Sequence, residues 1–147
     1  MLKLPVIHPV LLAALARAGH GSTILIADGN YPHETGAARS AERVYLNLRP
    51  GLLTVAQALD AVNEVVPLER AQVMRPDPHD NLPLFDRYRA ITGLGVELVE
   101  RFEFYAQARQ EDLAVLIATG DQQHYANILL TVGAWPAPDA RASVKQS

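Results

Sequence analysis

Five consecutive residues, Thr23-Ile24-Leu25-Ile26-Ala27, form an unbroken run of branched and apolar side chains that Asp28 and Gly29 stop. A run that short, with no polar alternation, reads as a strand covered on both faces, the pattern of a sheet packed between layers. Leu113 to Ala118 and Ile128 to Val132 have the same character, and Ala71 to Met74 and Val96 to Val99 read as further short strands. Val44, Leu46 and Leu48 alternate with Tyr45 and Asn47, so that stretch is a strand or extended segment ended by Pro50-Gly51. Between these runs lie segments with apolar residues three and four apart. Pro9 to Ala18 has proline at a helix-starting position and Gly19 as its stop, and Val55 to Val66 is capped by Thr54 and closed by Pro67. Leu84 to Ile91 and Phe102 to Gln110 complete the set of expected helices. Strands alternating with helices specify an α/β chain, a three-layer α/β/α domain with a largely parallel sheet.

The length of 147 residues fits one such domain, expected over residues 1–135. The remainder, 136–147, is polar and punctuated by proline, and is expected to be mobile. The chain has no cysteine, which excludes a disulfide framework, a thiolate nucleophile and a Cys-ligated zinc site. A net charge of −3, spread along the chain, argues against a nucleic-acid footprint. No apolar run approaches the ~20 residues that cross a bilayer, and the amino terminus has no signal-peptide pattern. A cytoplasmic protein acting on a small neutral ligand, without membrane association, is the expectation.

Chemistry concentrates in a few places. Gly19-His20-Gly21 puts an imidazole where the first helix ends, and Asp28 puts a carboxylate where the first strand stops; the two are expected at one rim of the sheet. An imidazole titrates near neutral pH, so it can give or take a proton. The loop Gly120 to Asn127 joins two apolar strands and is rich in hydrogen-bonding groups, with Tyr125 offering a ring face and Asn127 one acceptor and two donors suited to vicinal hydroxyls. Arg101 sits beside Phe102, Phe104 and Tyr105, a fixed fork of donors next to aromatic rings. Each group also has a plainer reading: His20 as a helix cap, Asp28 as a turn cap, Tyr125 and Asn127 as loop residues, Arg101 as a solvated charge. His8, His33, His79 and His124 show no metal-ligand spacing, so no metal site is expected, and no glycine-rich phosphate motif is present.

The order Gly19-His20-Gly21, a strand ending in Asp28, Arg101-Phe102-Glu103-Phe104-Tyr105, Gly120 and Tyr125-Ala126-Asn127-Ile128-Leu129-Leu130 resembles the ribose pyranase and fucose mutarotase family over nearly the whole chain. The resemblance implies an isomerase that interconverts anomers or ring forms of an unphosphorylated monosaccharide, L-fucose or D-ribose, with no cofactor. It implies His20 as proton donor, with Asp28, Arg101, Tyr125, Ala126 and Asn127 binding sugar. Tyr125 or a water would then handle the anomeric proton. It also implies a ring-like homo-oligomer, up to a decamer, with sites near subunit contacts, for which Phe104, Tyr105 and Trp135 are expected as exposed contact residues. Asn30 departs from the fucose branch, which carries histidine there. Arg43 to Leu48 is closer to the ribose branch and Arg101 to Tyr105 closer to the fucose branch, so the sugar stays open. Two other functions compete: a sugar-binding or transport-accessory module without chemistry, and a sugar-phosphate isomerase with Gly19 to Ser22 as its phosphate cradle.

Overall fold

A computed structural model describes residues 1–77 and 83–138. The turn expected over Pro76 to Asp80 falls partly, and the tail expected over 136–147 mostly, outside the described residues. The elements in chain order are α1 (Pro9–Arg17), β1 (Thr23–Ala27), β2 (Glu42–Tyr45), α2 (Val55–Asn63), β3 (Leu68–Met74), α3 (Pro83–Thr92), β4 (Val96–Val99), α4 (Arg101–Ala108), β5 (Leu113–Ala118) and β6 (Ile128–Val132). The six strands form one sheet in the order β2-β5-β1-β6-β3-β4. Every neighbouring pair is parallel except those made by β6, which runs antiparallel to both β1 and β3. The sheet is therefore mostly parallel, as the run composition implies.

Alternate side chains of each strand go to opposite faces, and the two faces are covered differently. Ile24, Ile26, Val73, Val115 and Ile117 join Leu11, Leu15, Leu59 and Tyr88 in one core, under α1, α2 and α3. Leu25, Leu116 and Leu129 join Phe104 and Ala108 of α4, together with Tyr31, Ala37, Ala38 and Ala41 from the long segment after β1. That segment has no helix or strand between residues 28 and 41, yet it buries three alanines and a tyrosine. Arg43 holds it, donating to the carbonyls of His33, Glu34, Ala37, Ala38 and Ala41. Small side chains let the backbone close on the sheet, and one guanidinium satisfies its carbonyls.

Helix ends follow their local chemistry. His8 caps α1 through its Nδ1, which accepts the Leu11 N–H, and Pro9 starts the helix. Thr54 and Gln57 form a reciprocal capping box at the start of α2. That helix ends at Asn63 rather than Val66, because Val65 and Val66 both turn back to the Val62 carbonyl ahead of Pro67. β2 stops at Tyr45 rather than continuing to Leu48, whose side chain is 82 % exposed as the chain leaves the sheet edge. Phe104, expected as an exposed contact residue, is fully buried; Trp135 is exposed and Tyr105 is half-buried. On a helix, Phe104 shares its face with Ala108 four residues on, and that face meets the sheet.

Candidate active site

Asp28 begins where β1 ends, next to the start of the antiparallel β6, so two chain segments 99 residues apart converge there. The Asp28 N–H donates to Asn127 Oδ1 at 2.7 Å. Asp28 Oδ1 in turn accepts the N–H groups of Asn30 and Tyr31, each at 2.9 Å. These bonds use one oxygen of each side chain and, among the described residues, leave Asp28 Oδ2 and Asn127 Nδ2 without a protein partner. Both residues are nearly buried, yet both line a cavity of about 440 Å³. An uncommitted carboxylate oxygen beside an uncommitted amide N–H is an acceptor and donor pair for adjacent hydroxyls.

The rest of the cavity wall comes from β3 and its exit, the start of α4, and the loop before β6. Arg101 is the first residue of α4, with its guanidinium 5.8 Å from the centre of the Tyr105 ring. Tyr105 packs at 5.4 Å against Tyr31, whose hydroxyl donates to the Gly36 carbonyl at 2.6 Å. Arg75, at the exit of β3, also lines the cavity and is paired with Glu100. Tyr125 has a left-handed backbone, φ 61°, which is uncommon for an aromatic residue and marks a position fixed by its surroundings. The next residue, Ala126, is fully buried, and its carbonyl accepts the Tyr88 hydroxyl at 2.6 Å. Ala126 is thus a backbone anchor for the loop rather than a cavity-lining side chain.

Burial raises the Asp28 pKa above the ordinary carboxylate value; the Asn30 and Tyr31 N–H groups pull it back in part, the nearby Asp121 charge adds to the rise, and His33 opposes it. The native chain therefore holds that proton more tightly than the unfolded chain does, and stability is lost as pH climbs above 3.8 and the buried carboxyl ionises. Asp28→Asn keeps an acceptor for the two N–H groups and removes the charge. The expected result is a variant more stable than wild type at pH 7 in urea unfolding, with the gap closing toward pH 4.

Asp28, Arg101, Tyr125 and Asn127 are brought together as the sequence implied, but His20 is not. Its Nε2 bonds the Glu69 carboxylate at 3.1 Å, at the end of the sheet where β1 starts and β3 starts. The expectation that His20 and Asp28 share a rim is corrected: one precedes β1 and the other follows it, and a five-residue strand at about 3.3 Å per residue holds them roughly 16 Å or more apart. The imidazole that does line the cavity is His124. Of the other described histidines, His8 is a helix cap and His33 is bonded to the Asp28 carbonyl at 2.8 Å. Tyr31, Arg75, Tyr105 and His124 were not singled out as site residues from the sequence. His124 carried a signal, its place next to Tyr125; the others reach the cavity only through the packing of α4 and the 28–41 segment. Asp121, by contrast, is committed to the fold: its carboxylate accepts the Val55 N–H at the start of α2 and the Gln123 N–H.

The fold and site define a small α/β domain with a cavity lined by hydrogen-bonding groups at the carboxyl end of β1. Residues 1–135 match the model of the RbsD / FucU transport protein family, and the chain belongs to that family. A fucose mutarotase from Mus musculus is 33 % identical over 143 residues, covering 87 % of this chain and 90 % of that one. A D-ribose pyranase from Geobacillus kaustophilus is 31 % identical over 134 residues, covering 90 % and 94 %. Among solved structures, the fucose mutarotase in complex with L-fucose from Streptococcus pneumoniae superposes with a TM-score of 0.78 at 26 % identity, covering 92 % of this chain and all of that one.

Proposed function

We propose that the chain is a monosaccharide mutarotase of the fucose type, converting anomers of an unphosphorylated sugar by general acid/base catalysis in the cytoplasm. The observation that carries this reading is the uncommitted pair Asp28 Oδ2 and Asn127 Nδ2 at the cavity wall, flanked by Arg101 and the rings of Tyr105 and Tyr125. The pair takes two neighbouring hydroxyls, the guanidinium takes a third, and a ring face covers the sugar's C–H side. Mutarotation then needs one proton placed on the ring oxygen and one removed from the anomeric hydroxyl. The bond between the anomeric carbon and the ring oxygen breaks, an aldehyde forms, its carbon turns, and the reverse proton movements close the ring. Positioned proton transfer contributes about 10²- to 10⁴-fold, enough for a reaction that already proceeds in water.

His20 of a neighbouring copy protonates the ring oxygen in this reading, and Tyr125 or a water takes the anomeric proton. A contact that joins the His20 end of one copy to the Asp28 end of the next uses two different surfaces, and such contacts close into rings. The protein is accordingly a homo-oligomer. A second reading rests on His124, which lines the cavity from the same chain and supplies an imidazole without any partner copy. D-Ribose pyranase activity is the alternative within the same chemistry, and a binding module without catalysis the alternative outside it. Saturation-transfer NMR on L-fucose, D-ribose, D-galactose and L-rhamnose separates the mutarotase, the pyranase and the module: an enzyme speeds exchange of at least one sugar at catalytic concentration, and a protein that binds sugar yet leaves every exchange rate at its value in buffer is a module.

A further inference from the structure

The sheet face beneath α4 changes character along its length. Under Phe104 and Ala108 it is hydrocarbon, built from Leu25, Leu116 and Leu129. Toward the start of β1 it turns polar: Thr23 stands opposite Thr131 of β6, Thr131 opposite Arg70 of β3, and Gln72 opposite Leu129 on one side and Glu97 on the other. β1 and β6 are the central strands of the sheet, where a polar row is unfavourable unless something bonds it. Thr23 Oγ1 is buried and meets no hydrogen-bond partner among the described residues. Gln72 is 97 % buried, at 3 % exposure, and among the described residues no group bonds its carboxamide. Both line a groove of about 330 Å³, which Glu103 and Gln107 of α4 and Asp112 wall on its far side. This groove lies at the His20 end of β1, and the sugar cavity at the Asp28 end; they share no lining residue.

We propose that this groove is a second ligand site, for a small neutral polyol, held by Gln72, Thr23 and Thr131. Two hydroxyls and a carboxamide each donate and accept, and a polyhydroxyl compound is the ligand class that does both at every position. Anions do not suit the groove, because Glu103 and Asp112 border it and the Arg70 guanidinium already donates to the Glu97 carboxylate through Nε and Nη2. No aromatic ring lines it, so it lacks the stacking face that the sugar cavity offers. Its volume is large for a single water, whose share of the liquid is about 30 Å³, and admits a chain of three to five hydroxyl-bearing carbons. The groove uses none of the residues that the mutarotase reading assigns to the sugar, and it lies at the His20 end of the sheet, which that reading sets beside the next copy.

The test is heat unfolding of the full-length protein titrated with glycerol, erythritol and xylitol, comparing wild type with Gln72→Leu, Thr23→Val and Asn127→Ala. A ligand that binds the native state raises the unfolding midpoint and the rise saturates. The expected result is a saturable rise in wild type and Asn127→Ala, and a need for at least about tenfold more polyol in Gln72→Leu. Thr23→Val, which keeps the shape of threonine, gives the same weakening in smaller measure and serves if the leucine variant does not fold. Equal, unsaturating rises in all four proteins, the signature of polyol excluded from protein surface, would overturn the proposal. So would a saturable response lost in Asn127→Ala and kept in Gln72→Leu, which assigns the binding to the sugar cavity.

Discussion

Chains carrying His20→Ala and chains carrying Asn127→Ala, each inactive alone, recover about a quarter of wild-type anomer exchange when they are unfolded together, mixed in equal amounts and refolded. The expectation follows from where the two residues lie. Asn127 fixes Asp28 at the carboxyl end of β1, while His20 sits before that strand and bonds Glu69 at the opposite end of the sheet. No side-chain rotation carries an imidazole along a strand, so His20 reaches a sugar held by Asp28 only if it belongs to another copy. In a random mixture half the sites receive an intact His20, and half of those an intact Asn127. If each chain served its own cavity, every chain in the mixture would carry one lesion and exchange would stay at the level of buffer. His124→Gln separates the other reading. Should His124 be the proton donor, His20→Ala alone retains most of the exchange and His124→Gln loses about 10²-fold or more, with sugar affinity little changed.

What the sequence made legible and what it hid divide along physical lines. The interior strands β1, β5 and β6 are bounded in the structure where their composition bounds them, because their runs are apolar apart from Thr23 and Thr131, and Asp28, Thr119 and Gly133 mark the exits. The start of β3, between β6 and β4, was less legible. β3 begins at Leu68 rather than Ala71, since its first residues are half-exposed or exposed and carry Glu69 and Arg70, which look like loop. Asp28, Arg101, Tyr125 and Asn127 were recognisable as a group because their spacing resembles a known family's pattern; their convergence depends on β6 running antiparallel between β1 and β3, which local composition does not encode. The misplacement of His20 was avoidable. Residues that precede and follow one strand lie at opposite ends of it, whatever the fold. The burial of Tyr31, Ala37 and Ala38 was not legible, because it depends on Arg43, five or more residues downstream, donating to the carbonyls of that segment.

Gly120→Ala is expected to lower stability by about 3 kcal/mol or more, among the large effects for a single methyl. A β-carbon at Gly120 would lie 2.3 Å from the Leu52 carbonyl oxygen and 2.4 Å from that of Arg49, and neither is the end of a flexible side chain. The Gly51 N–H also donates to the Gly120 carbonyl at 2.6 Å, so the two loops are bonded as well as packed and cannot part without losing that bond. The strain then passes to the site. Gly120 precedes Asp121, whose carboxylate holds the first N–H of α2, and Gly29, beside Asp28, donates to the Asp121 carbonyl at 2.8 Å. Displacing residue 120 therefore shifts Asp28 from one side and the 121–127 loop from the other. In guanidinium unfolding the variant should show a midpoint well below wild type with an unchanged slope, and where enough of it stays folded, sugar affinity falls although residue 120 lines the neighbouring cavity and not the one that holds Asp28. Gly29→Ala is the graded comparison: its β-carbon would meet the Asp121 carbonyl at 3.2 Å, a contact relieved by a shift of a few tenths of an ångström, so its stability loss should be the smaller of the two.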